Sequence, residues 1–228
     1  PGALTRSPAW WEVRLHDPEV WRDGGSAYRF VLHYAADGRP DGYAYFRVKE
    51  HGPHDGAEVT VVDLDAVDPP AYAALWRFLL TLDLVRTFRR WDAPVDEPLR
   101  LLVSDPRAIT TETTDGTFAR IVDVPAALEA RRYAAEIDVV LGVTDDLLPS
   151  NDDSFRLRGG PDRAEVTRTQ DTPDVSLGIA QLGALYLGGR SPATLRQAGL
   201  ASEDTPGALR RMAAGFAWDR LPFCNDYF

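Results

Sequence analysis

The sequence predicts an α+β protein built as two domains, and three observations lead there. Residues 8–103 run from a helical segment through alternating strand-like stretches into another helical section. Residues 110–117 (TTETTDGT) are polar and break the pattern. Beyond them a series of short β-rich runs ends in three clustered helical segments, the order expected of α+β folds and not of a doubly wound one.

Residues 8–22 (PAWWEVRLHDPEVWR) read as a helix with aromatic anchors, ended or kinked by Pro18. Residues 27–35 and 43–49 read as strands. Asp37-Gly38 and Asp41-Gly42 punctuate the gap and predict a hairpin. Alternation continues over 58–64. Asp68-Pro69-Pro70 then opens a long helix over 72–90, apolar on most faces and so expected to be buried. A short helix follows at 98–103. Trp76, Phe78 and Trp91 read as packing residues. The aromatics at 10, 11, 21, 28 and 45 suit either a core or a ligand cleft.

With the boundary in the polar stretch, the domains are 1–112 and 113–228. The second reads as strand 118–124, helix 125–132, strands 137–144, 154–158, 164–169 and 175–179, then helices 180–187, 192–198 and 206–217. Pro125, Pro192 and Pro206 stand near helix starts, where a missing N–H costs little.

Composition excludes several functions. The chain has 228 residues, 44% hydrophobic and 26% charged, with a formal net charge of −10. That charge argues against nucleic acid and against an anionic membrane surface as partners. No apolar run approaches the ~20 residues of a membrane span. Cys224 is the single cysteine, so no internal disulfide can form, in keeping with a cytoplasmic chain. The sequence opens at Pro1 without a methionine, as a processed or truncated chain would.

Few motifs carry chemistry. His51 and His54 flank Gly52-Pro53 beside Asp55, but no third ligand stands near, so this reads as a surface loop. Asp145-Asp146 and Asn151-Asp152-Asp153 read as a solvated acidic loop without the ligand ladder of a calcium site. A phosphate loop for a coenzyme must follow a strand and open a helix. The one literal match to the Arg/Gln-x-x-Gly-x-Gly/Ala pattern, Arg196 to Ala201, lies inside a helical segment, where Gly199 reads as a helix C-cap. The tail, residues 216–228 (FAWDRLPFCNDYF), is too aromatic for a frayed terminus. Phe223, Tyr227 and Phe228 are therefore expected to dock, holding the terminal carboxylate in a fixed and partly buried place.

An ordered set of segments carries a resemblance: residues 41–49 (DGYAYFRVK), 75–79 (LWRFL), 105–108 (DPRA), 123–128 (DVPAAL), 182–189 (LGALYLGG), 216–218 (FAW) and the tail 222–228. Together they resemble the Eis (enhanced intracellular survival)-type N-acetyltransferases of the GNAT superfamily. The resemblance implies a truncated GNAT-like mixed-sheet domain (1–112) followed by a sterol-carrier-protein-like α+β domain (113–228). The N-terminal GNAT domain that would bind acetyl-coenzyme A is missing, so acetyl-coenzyme A belongs to the parent enzyme and none is expected in this chain. It further implies amine-bearing small molecules of the aminoglycoside type as substrates and a homo-oligomer, a hexamer in the family. The terminal carboxylate, here of Phe228, is implied as general base, with Asp226 and Tyr227 on the substrate side. The acid stands one place earlier than in the family pattern. A non-catalytic sterol-carrier-like binding or oligomerisation module is the alternative.

Overall fold

The computed structural model describes residues 2–52 and 54–226. It divides into two compact units: residues 4–112 together with the tail from Asn225, and residues 113–224 together with the first three. Each has its own hydrophobic core.

The first unit opens with helix α1 (Pro8–Arg14), which stops before Pro18; Glu19–Trp21 forms a separate 3₁₀ turn, so the predicted single helix is two pieces. Strands β1 (Arg29–Tyr34), β2 (Pro40–Glu50) and β3 (Ala57–Ala66) pair antiparallel in sequence order. Helix α2 (Pro69–Leu80) then leads to β4 (Val85–Arg90), which lies parallel to β3. Asp68 caps α2 through Oδ1, which accepts from Ala71 N at 2.8 Å, and Pro69 and Pro70 need no partners for missing N–H groups. Ala71, Leu75, Trp76 and Leu79 recur on one side of α2 and pack against Ala44, Phe46, Val59 and Val61 of the sheet. Gly42 permits that closeness, since a Cβ there would meet Leu75 Cδ1 at 3.0 Å. A short helix α3 (Leu99–Leu102) and a 3₁₀ turn at Pro106–Ala108 complete the unit.

The 72–90 helix of the sequence reading is thus half right. Thr81 closes α2, Leu84 turns the chain with φ +60°, and Val-Arg-Thr-Phe continues as a strand. Local apolar content cannot separate a buried helix from a strand, whereas the free edge of β3 settles the matter. Trp76 is buried as expected, but Phe78 is half exposed and Trp91 is 74% exposed, because α2 turns Phe78 away from the sheet and Trp91 lies past the end of β4.

The second unit holds helix α4 (Val124–Ala130) and strands β5 (Ile137–Thr144), β6 (Asp153–Gly159), β7 (Ala164–Arg168) and β8 (Val175–Gly178). Helices α5 (Ile179–Tyr186) and α6 (Pro192–Gln197), strand β9 (Ala201–Glu203) and helix α7 (Ala208–Phe216) follow. The sheet order is β7-β6-β5-β8-β9, with β5 and β8 parallel and the other neighbours antiparallel. Phe155, Leu141, Leu182, Leu185, Met212 and Phe216 are fully buried in its core. The strand expected at 118–124 does not form; Phe118 and Val122 stay exposed, Ile121 is buried, and Val124 is buried as the first residue of α4. Gly199 is the helix stop foreseen: at φ +71° its N–H donates to Arg196 O, and Leu200 N donates to Leu195 O. The whole is α+β, mixed sheets with helices, as the sequence predicted.

Candidate functional site

The densest polar constellation of the first unit gathers around the tail. Ser7 caps α1 through Oγ, which accepts from Trp10 N, and the helix carries Trp10 and Arg14 four residues apart on one face. Arg6 stands just before the cap. Asp63 comes from β3 through a β-bulge: Phe46 pairs with Val61 and Tyr45 with Asp63, so Val62 is the extra residue. Val59 and Val61 face α2, and unbroken alternation would aim Asp63 there too. The bulge shifts the parity, gives Leu64 to the core, and turns Asp63 to the opposite face beside Tyr43 and Tyr45.

Arg6 then joins three side chains. Its Nε donates to both Asp226 oxygens at 3.0 and 3.1 Å, one terminal nitrogen to Asp63 at 3.0 Å and the other to the Asn225 side-chain oxygen. Asn225 Nδ2 donates to Asp63 at 3.0 Å, and the Tyr43 hydroxyl donates to the same carboxylate at 3.0 Å. Trp10 Nε1 reaches Asp226 at 3.1 Å. Arg14 donates to the Asn225 carbonyl at 2.9 Å and pairs with both acids. The Arg6 guanidinium also lies 4.8 Å from the centre of the Trp11 ring. Two guanidiniums face two carboxylates, so the buried cluster is charge-balanced, the condition under which buried ions are tolerated.

The chemistry of the cluster follows from its electrostatics. Burial raises the Asp226 carboxyl, but the Trp10 N–H and the Arg6 and Arg14 guanidiniums outweigh it and leave it below the usual range. Burial and the neighbouring Asp63 charge push the Tyr43 phenol up. Burial likewise raises Tyr45, to about 12. A carboxyl held below its usual range and a phenol held above its own keep their ordinary charge states near neutral pH. The arrangement fastens the tail.

Of the site residues expected from sequence, Asp226 is described and lies in this cluster at 5% exposure. Tyr227 and Phe228 lie outside the described residues. Sequence reasoning missed Arg6, Arg14, Asn225 and Asp63, and left Trp10 open between core and ligand cleft. Only the aromatic tail hinted that something would receive it. It also missed a histidine–carboxylate pair, His33 Nδ1 to Asp41 Oδ1 at 2.6 Å, joined across the β1–β2 hairpin. The His51 and His54 loop is exposed, and no group of three or more His, Cys, Asp or Glu among the described residues could hold a metal.

The acidic loop of the second unit corrects the solvated reading in part, for Asp146 and Asp152 are exposed as expected. Asp145 and Asn151 are buried. Asp145 accepts from Leu147 N, Leu148 N, Asn151 Nδ2 and Arg120 at 2.6–3.1 Å, while Asn151 accepts from Val124 N at the start of α4. This is a folding hub.

Acetyl-coenzyme A would need free N–H groups at a helix start that follows a strand. In the first unit β3 leads tightly into α2. Pro69 and Pro70 have no N–H there, Ala71 N is taken by the Asp68 carboxylate, and Tyr72 N bonds the Asp68 carbonyl. A carboxylate thus already occupies the anion position, and no glycine lets a pyrophosphate approach. These residues do not fit the coenzyme. A groove of about 540 Å³ in the second unit is lined by Asp138, Arg156, Asp171, Asp174 and Arg211, three carboxylates against two guanidiniums.

Residues 2–121 match the model for the acetyltransferase (GNAT) domain, and residues 124–225 match that for the sterol carrier protein domain. An uncharacterized N-acetyltransferase of Streptomyces avermitilis is 43% identical over 230 residues, covering 100% of this chain and 56% of the relative. The N-acetyltransferase Eis of Mycobacterium tuberculosis is 37% identical over 223 residues, covering 96% of this chain and 52% of its own length. The crystal structure of Eis1 from Mycobacterium abscessus superposes with a TM-score of 0.79 at 37% identity, over 100% of this chain and 56% of that one. The chain therefore spans little more than half the length of the relatives it matches.

Proposed function

We propose that this chain, which belongs to the GNAT acetyltransferase domain family, is the C-terminal portion of an acetyl-coenzyme-A-dependent amine N-acetyltransferase of the Eis type. GNAT acetyltransferases use acetyl-coenzyme A, and the relatives carry N-acetyltransferase names. In this reading the coenzyme and the general acid belong to a preceding domain, and the acceptor is an amine of the aminoglycoside class. The active assembly is a homo-oligomer.

The chain supplies the base. An alkylammonium has no lone pair and cannot attack a thioester. A carboxylate that takes up the ammonium proton would free the amine lone pair for acetyl transfer, the chemistry that acetyl-coenzyme A would supply from the preceding domain. The Phe228 carboxylate takes that role, with Tyr227 on the substrate side; Asp226, expected there too, has both oxygens taken by Arg6, Trp10 and Arg14 and anchors the tail. The observation that supports it is the fixing of Asn225 and Asp226 by Arg6, Arg14, Trp10 and Asp63.

The test is made on the full-length enzyme. Extending the tail by three residues, or deleting Phe228, lowers kcat by ~10²–10⁴-fold. Unchanged kcat in both variants places the base elsewhere. A second reading, a sterol-carrier-like binding module, is favoured by the match of residues 124–225. Saturable binding of a fluorescent fatty acid to this chain, displaced by unlabelled lipid, would support it.

A further inference from the structure

We propose that Arg6, seated on Asp63, is a positioning residue that sets where the tail beyond Asp226 can reach. The proposal rests on the base reading above and adds to it the device that aims the base.

The geometry is that of a latch. Arg6 is remote from the terminus in sequence, yet one guanidinium binds both side chains that precede the last two residues: Asp226 through two bonds and Asn225 through one. Its remaining terminal nitrogen binds Asp63, which the sheet holds through Tyr43 and the bulge. The planar, forked guanidinium makes this possible, since its N–H groups point in fixed directions toward three separate acceptors. Arg14 adds the Asn225 carbonyl and Trp10 adds Asp226, so backbone and side chains of the pair are gripped from α1 and β3 alike.

The magnitude follows from chain length. With Asp226 fixed, the two residues beyond it reach at most ~7 Å. With every anchor of Asn225 and Asp226 gone, those from Arg14, Trp10 and Asp63 included, the four residues after Cys224 reach ~14 Å, so the factor that follows is the upper bound for losing Arg6. Doubling the radius dilutes the carboxylate about eightfold by volume, before any loss of orientation. The latch is therefore worth roughly a factor of ten in kcat, well below the ~10²–10⁴ of the base itself. That ordering separates a residue that aims from one that reacts.

Arg6→Lys is the informative variant: it keeps the charge, but a single ammonium lacks the fork. In this chain, backbone ¹⁵N order parameters of Asn225 and Asp226 are expected near ~0.85 with Arg6 and below ~0.6 with Lys, while amides of β2 and β3 stay unchanged. Mobile tail amides in the unaltered chain, or rigid ones in the variant, overturn the latch. If the variant unfolds the unit, Trp10→Phe, which removes one tail bond without charge change, replaces it with the same expected direction. In the full-length enzyme Arg6→Lys lowers kcat by up to about tenfold. Added to deletion of Phe228, it costs nothing further, because there is no carboxylate left to aim. Multiplying effects would mean that Arg6 acts through general stability, and would overturn the proposal. Full kcat after deletion of Phe228 alone sinks the base reading and the catalytic half of this proposal, while the order parameters still decide whether the latch exists.

Discussion

Asp145 illustrates what a single carboxylate does when the chain folds over it. Burial alone would raise its pKa. Hydrogen bonds from Asn151, the backbone N–H groups of Leu148 and Leu147, and Arg120 overcome that and bring it to about 2, against 3.8 in an unstructured chain. The sign is that of a depressed acid. Above about pH 4 both folded and unfolded states are ionised and the stabilisation is complete. It is lost as pH falls through about 2, where the folded state takes up its proton too. Asp145→Asn removes this group's share of the pH dependence. The Tm gap between the unaltered chain and the variant should be wide at pH 6 and narrow steadily between pH 4 and pH 2. A gap that stays constant over that range would mean the Asp145 charge contributes nothing. Arg131 is the cationic counterpart. Burial lowers its pKa, and its guanidinium donates to Leu185 O and Phe216 O, the carbonyls that end α5 and α7, while stacking 4.1 Å from the Phe216 ring centre.

At the scale of the element, the turn between α2 and β4 decides how the first unit closes. Leu84 takes φ +60°, a conformation that costs a residue with a Cβ roughly 1–2 kcal/mol. It does so at 78% exposure, so its side chain contributes little packing in return. Its carbonyl accepts from Ala57 N and starts the β3–β4 pairing, which explains why the turn is held. Leu84→Gly relieves the strain but adds roughly 0.5–1 kcal/mol of backbone entropy loss. The two effects leave a gain of about 0.5 kcal/mol. Urea unfolding of the variant should give a midpoint equal to or slightly above that of the unaltered chain. A loss greater than about 1 kcal/mol would show that the Leu84 side chain packs on folding. This element also shows where sequence legibility stopped. The Asp68-Pro69-Pro70 start and the helix after it were readable, because they depend on neighbours in sequence, whereas the burial expected on most faces is confined to the side of Ala71, Leu75, Trp76 and Leu79. The change to strand at Val85 was not, because it depends on β3, a partner brought up by the chain's return.

At the scale of the whole molecule, residues 110–120 are exposed and without regular structure between two units that each carry a core. Glu112 stands within that stretch. Limited digestion with a glutamate-specific protease should cut there first, giving fragments 1–112 and 113–228, since proteases need a segment that can extend into their cleft. First cleavage at another glutamate, with Glu112 intact, would show that the segment is protected. The tail belongs to the compact unit of residues 4–112, although it follows the other unit in sequence.

The sequence by itself determined the α+β class, the polar break, nearly every strand and helix of residues 124–217, and the family. Each rests on local information: period, caps, turn residues, or an ordered run of short segments. Only the tertiary structure decided that Asp63 turns away from α2, that Asp145 and Asn151 go inside, and that Arg6 meets Asp226 from the other end of the chain. A bulge reverses a strand's parity without any signature in composition, and the worth of a charge depends on which opposite charges fold against it. Those are properties of contacts between residues far apart in sequence, and they exist only once the chain has closed.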